Sequence, residues 1–73
     1  MKHKYSVEVN GERVGTRSSA RNYTHAIVAR GDHFQGIGVI SYCGSLALAE
    51  KAARIVAGKP YYRDVQIVPV TKG

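Results

Sequence analysis

Apolar and polar positions alternate almost from the first residue: in YSVEVNGERV, Tyr5, Val7 and Val9 are separated by Ser6 and Glu8. A period of two marks a strand with one buried face. Asn10-Gly11 follows, a pair that tolerates positive φ at both positions and favours a two-residue hairpin turn. The return strand is expected to be weak, because Val14 is its only large apolar residue and Gly15 follows directly. It is expected to fray or bend into GTRSSARNYTH, residues 15–25. YTHAIVAR, 23–30, is the clearest strand, with Tyr23, His25, Ile27 and Ala29 on one face and Thr24, Ala26, Val28 and Arg30 on the other. Gly31-Asp32-His33 supplies turn chemistry. GIGVISYCG then predicts a fourth strand, with Ile37, Val39 and Ser41 opposite Gly38, Ile40 and Tyr42. Its two leading glycines suggest a bulge or a close backbone approach.

The period then changes. Ser45 is suited to an N-cap, and Gly58-Lys59-Pro60 closes the segment. Between them Leu48, Ala49, Ala52, Ile55 and Val56 recur at helical spacing, with Glu50, Lys51 and Arg54 opposite and Leu46 and Ala47 extending the apolar side. The spacing predicts one amphipathic helix of about three and a half turns at ~3.6 residues each. DVQIVPV, 64–70, closes the order as a strand, with Val65 and Ile67 on one side and Gln66, Val68 and Val70 on the other; Pro69 ends it or places it at a sheet edge. Residues 71–73 are expected to form a loose tail.

The order β-β-β-β-α-β defines an α+β fold: an antiparallel sheet of four to five strands with one helix packed on one face, in a single domain spanning residues 1–73. One helix covers one face only. The other face is therefore expected to be polar, partly exposed, or covered by a partner, which makes a homodimer an option. A copy pairing along Asp64–Val70 is one route to it, limited by Pro69.

Composition narrows the chemistry. The chain has 73 residues and one cysteine, Cys43, so no internal disulfide supports the core. No Cys/His grouping has zinc spacing, and no metal or cofactor is expected. Met1-Lys2-His3-Lys4 is basic but lacks the apolar run of a signal peptide, and no stretch approaches the ~20 residues that span a bilayer. A cytoplasmic location without membrane contact is the expectation. The formal net charge is +6. Residues 13–30 hold four arginines and no acid, so +4 of the +6 sits in this quarter of the chain. Arginine forks onto phosphate oxygens in pairs, which favours a polyanion partner: DNA, RNA or an acidic protein.

Catalysis finds little support. Cys43, in SYCGS, stands at a strand-to-helix turn, where helix amides lower a thiol pKa, but no acid at a telling position orients His25 as its base. A small thiol packed beneath the helix is the simpler reading. His3, His25 and His33 are at no metal spacing, and the five carboxylates are scattered. GIG lacks the third glycine of a dinucleotide loop. An enzyme is not expected. Tyr5, Tyr23, Tyr42, Tyr61 and Tyr62 remain as stacking surfaces with polar tips.

GIGVISYCGSLALAEKAARIVAG resembles the second half of a double-stranded RNA-binding domain, where a strand enters an alanine-rich helix. The lysine pair such domains carry at the helix start is replaced here by Leu46 and Ala47, and no helix precedes the first strand. The resemblance covers about a third of the chain and implies no binding residues in it.

The residues expected to contact nucleic acid are Arg13, Arg17, Ser19, Arg21, Tyr23 and Arg30, with Lys51 and Arg54 as a second basic edge and Ser18 and Thr24 as further phosphate donors. The alternative expectation is a small protein-interaction module, an inhibitor or adaptor of the kind phages and plasmids encode as accessory proteins, binding an acidic protein without catalysis.

Overall fold

A computed structural model describes residues 2–32 and 36–72. The expectations for His33, Phe34 and Gly73 lie outside them. The described fold is α+β, with two three-stranded antiparallel sheets and one helix. In the first sheet β1 (His3–Val9) lies between β2 (Glu12–Ser19) and the short β6 (Thr71–Lys72). In the second, β3 (His25–Gly31) lies between β4 (Ile37–Cys43) and β5 (Tyr62–Pro69). The single sheet of four to five strands is thereby corrected.

The reason lies in β3. Ala26, Ile27, Val28 and Ala29 are all fully buried, so neither face of this strand meets water. Ile27 and Ala29 pack beneath α1 (Leu46–Ala57), together with Cys43, Ala49, Val56, Val65 and Ile67. Ala26 and Val28 pack on the other side with Val7, Val9, Val14, Val39, Val68 and Val70. The helix covers one face and the N-terminal hairpin the other, so the face expected to be free for a partner is filled by the chain itself. Removing Val7, Ile27 and Val28 wholly from water contributes about 1.5–3 kcal/mol each.

β2 is stronger than its sequence suggests: it pairs along all of β1 and does not fray after Gly15. Asn10 (φ 54) and Gly11 (φ 81) form the expected tight turn. The ladder then slips, with Glu8 opposite Arg13 but Val7 opposite Gly15, leaving Val14 as the extra residue of a bulge. A second slip corrects the alternation in β4. Val28 faces Val39 while Ile27 faces Ser41, so Ile40 is the extra residue there. Beyond it the sides exchange, and Tyr42 joins Ile37 and Val39 on the hairpin side while Cys43 and Ile40 pack toward the helix.

Thr71 and Lys72 are not part of a loose tail. β5 stops at Pro69, the Val70 amide donates to the Thr24 carbonyl at 3.0 Å, and Thr71 and Lys72 pair with Ser6 and Tyr5. The last strand therefore passes from one sheet to the other. Ser45 caps α1 as expected, its hydroxyl accepting from the Leu48 amide at 3.2 Å. The buried stripe of the helix is Ala49, Ala52, Ala53 and Val56. Leu48 and Ile55, expected inside, are displaced to its flank and exposed, because the line i, i+3, i+4, i+7 from Ala49 is the one that meets the sheet.

Candidate functional site

The hairpin turns two unlike faces outward and inward. On the inner side, Tyr5 and Val7 are buried against the second sheet, and Gly15 and Arg17 are their cross-strand partners. The two sheets approach closely at Gly15: a Cβ there would stand 2.5 Å from Val39 Cγ2 and 3.4 Å from the Tyr42 hydroxyl. On the outer side alternation places Lys4 and Ser6 on β1, with Thr16 and Ser18 as their partners on β2, and Arg13 across from Glu8.

These outer residues border a shallow concavity of about 500 Å³ lined by Lys4, Tyr5, Ser6, Arg13, Thr16, Arg17 and Ser18. Three of the lining residues are cations and three carry aliphatic hydroxyls; none is acidic. Among the described residues, ion pairs join Arg30 to Asp64 at 3.3 Å and Arg63 to Asp32 at 3.6 Å. Lys4, Arg13, Arg17 and Arg21 take part in neither pair.

An aromatic cluster supports one end of this surface. Tyr5 and Tyr23 meet edge-to-face at 5.3 Å, and Tyr23 and Tyr42 are 5.5 Å apart. The Arg17 guanidinium carbon lies 5.6 Å from the centroids of both Tyr23 and Tyr42, within cation–π range. Tyr5 Oη donates to the Arg21 carbonyl at 2.7 Å and accepts from the Tyr23 amide at 3.3 Å. Ser19 Oγ accepts from the Arg21 amide at 3.1 Å. The bend after β2 is thus tied to the sheet beneath it. Tyr42 differs: its hydroxyl oxygen is buried with no hydrogen-bond partner, and burial raises its pKa, an effect that the Arg17 charge partly opposes.

The structure therefore gathers some expected site residues and separates others. Arg13 and Arg17 share the concavity, and Ser19 and Arg21 follow at the end of β2. Tyr23 packs between Tyr5 and Tyr42 with Arg17 over it, so its ring holds a guanidinium in place. It was expected to share a face with Ile27; it lies before β3 begins, where strand alternation no longer applies. Arg30 is at the far end of the hairpin, paired with Asp64 and beside Asn10 and Glu12. Lys51 and Arg54 are exposed on α1, across the second sheet from the hairpin. Lys4, Ser6 and Thr16 were missed. The signal for Lys4 and Ser6 was their place opposite Tyr5 and Val7 in the alternating strand.

Other chemistry is sparse. His25 Nδ1 lies 2.8 Å from Thr24 Oγ1, and Cys43 is a buried free thiol beneath the helix. Among the described residues no three His, Cys, Asp or Glu side chains group as metal ligands, and no helix is long and apolar enough to cross a membrane. Comparison with known proteins gives no match to a family model, a curated protein or a solved structure.

Proposed function

We propose that this protein binds nucleic acid by its phosphates on the outer face of the β1–β2 hairpin. Lys4 and Arg13 supply the charge on that face, Arg17 adds to it from the inner side where it borders the concavity, and Ser6, Thr16 and Ser18 donate hydrogen bonds to phosphate oxygens. The observation that carries this reading is the concavity of about 500 Å³ whose lining holds three cations and no acid. The net charge of +6 adds a long-range attraction for a polyanion. Arg21, at the exit of β2, extends the basic edge; Arg30, Lys51 and Arg54 fall outside the contact. No catalytic step belongs to this reading. It fits a reducing interior such as the cytoplasm, where Cys43 stays a thiol.

The test is fluorescence anisotropy with labelled DNA and RNA, single- and double-stranded, over a salt series. Binding that weakens linearly in log salt is expected, with a slope near −0.9 per phosphate neutralised on a duplex. Absence of binding to all four probes at low salt overturns the proposal.

The alternative, an adaptor or inhibitor, loses the free sheet face as its support, because the hairpin fills it. The edge strand β5 also resists pairing with a copy, since Asp64 takes a positive φ of 53° within an irregular ladder and Pro69 offers no amide donor. What remains in its favour is the outer surface of α1.

A further inference from the structure

The helix buries its small residues and exposes its large ones. Beneath it lie Ala49, Ala52 and Ala53 with a single larger side chain, Val56. Leu46, Leu48 and Ile55 are 50%, 57% and 59% exposed. Burying a Leu or Ile side chain releases far more free energy than burying a methyl group, so a helix serving only as a lid would carry the opposite arrangement. Single exposed aliphatics are ordinary on protein surfaces. Three of the four large hydrophobics exposed among the described residues lie on one 12-residue helix, and two of them, Leu48 and Ile55, share one side of it, away from Leu46.

Leu48 and Ile55 are seven positions apart and so lie nearly in line, about 10 Å along the axis. Lys51 stands between them, three residues from one and four from the other. Arg54 borders the same side, and the one acid of the helix, Glu50, is aligned with both Leu46 and Arg54, one turn away from each, leaving Lys51 as the cation within the stripe. The stripe is thus apolar with a cationic rim. A second copy would bring like charge against that rim, on a chain already at +6.

We propose that the Leu48–Ile55 stripe docks an acidic amphipathic helix of a partner protein. Its apolar residues would cover Leu48 and Ile55, and its carboxylates would meet Lys51 and Arg54. This surface lies across the second sheet from the basic hairpin, so it does not depend on the nucleic-acid reading and allows both ligands at once.

The test uses two synthetic amphipathic helical peptides with the same leucine face, one flanked by glutamates and one by lysines, titrated into isotopically labelled protein. The acidic peptide is expected to shift the amide signals of residues 47–59 and to bind at least about tenfold more tightly than the basic one. Leu48→Gln with Ile55→Gln is expected to weaken it by about tenfold or more. Helix content, melting temperature and affinity for a DNA duplex should remain as in the parent. Equal binding of both peptides, no binding, or shifts confined to the hairpin face would overturn the proposal. So would sedimentation showing that the parent dimerises and the double variant does not.

Discussion

Arg17 stands directly across from Tyr5 in the hairpin ladder. A two-residue turn at Asn10-Gly11 with an unbroken ladder would place Thr16 there and turn Arg17 outward beside Lys4. The extra residue at Val14 moves every later pairing by one. Arg17 thus shares the inner side with Tyr5 and rests over Tyr23 and Tyr42, while Thr16 and Ser18 take the outer face. A one-residue bulge sets which side chains a ligand meets.

Phosphate contacts on that face have a measurable signature. Lys4→Ala and Arg13→Ala should each weaken binding to a DNA duplex and lower the salt slope by about one. Arg30→Ala, already held by Asp64 at the other end of the hairpin, should leave the slope unchanged. Anisotropy over a salt series checks all three. An unchanged slope in the first two variants would move the contact elsewhere.

The outer face carries cations and hydroxyls, while Tyr5, Tyr23 and Tyr42 are engaged on the inner side. Proteins that grip single strands add aromatic platforms for the bases, worth ~1–3 kcal/mol per base. Tyr5 lines the concavity but is buried and offers no ring for stacking, so binding should be indifferent to base identity and at least as tight to a duplex as to a single strand. Competition between duplex DNA and homopolymer single strands measures this. A marked preference for one homopolymer would show that bases are being stacked.

Much of this fold was legible. The Asn10-Gly11 turn, the Ser45 cap, the stop at Pro69 and the two-sided alternation of Val65, Ile67, Val68 and Val70 all rest on local chemistry, and the structure has them as read. What failed depends on distant partners. The run Ala26–Ala29 was read as an alternating strand in a sheet covered on one face by the helix; it is buried on both, because nothing local named the hairpin as the second cover. The bulges at Val14 and Ile40 reverse side-chain parity; a bulge in β4 was expected from its two glycines, but its place at Ile40, and the bulge at Val14, were not. The basic cluster was half legible for the same reason. Arg13 and Arg17 were found as charges, whereas Lys4 joins them only through the register.

The approach of the two sheets at Gly15 gives a stability prediction. The Cβ of Gly15→Ala would stand 2.5 Å from Val39 Cγ2, in a layer where Val39 is itself packed against Val7, Ala26 and Val28. Overpacking of this kind costs about 1–3 kcal/mol. The Gly15→Ala, Val39→Ala pair should cost less than the sum of its two single changes, because shortening Val39 makes room for the new methyl. Urea unfolding of the four proteins closes the cycle, and strict additivity would remove the clash as the cause.

Tyr42 links this layer to pH. Its hydroxyl is buried without a hydrogen-bond partner, so Tyr42→Phe leaves no donor or acceptor unpaired and should be neutral or slightly stabilising at pH 7. Tyr5→Phe, by contrast, gives up the bonds to the Arg21 carbonyl and the Tyr23 amide and should cost about 1 kcal/mol. Burial raises the Tyr42 pKa above its ordinary 10.0, with Arg17 acting against the rise. The folded chain therefore holds this proton more tightly than the unfolded one. The contribution to stability is fully present below pH 10.0 and is lost as pH climbs from there through the higher folded value. Urea midpoints taken from neutral to strongly alkaline pH should fall above that point, and fall less steeply in Tyr42→Phe. Parallel declines in the two proteins would exclude Tyr42 as a source of the alkaline loss.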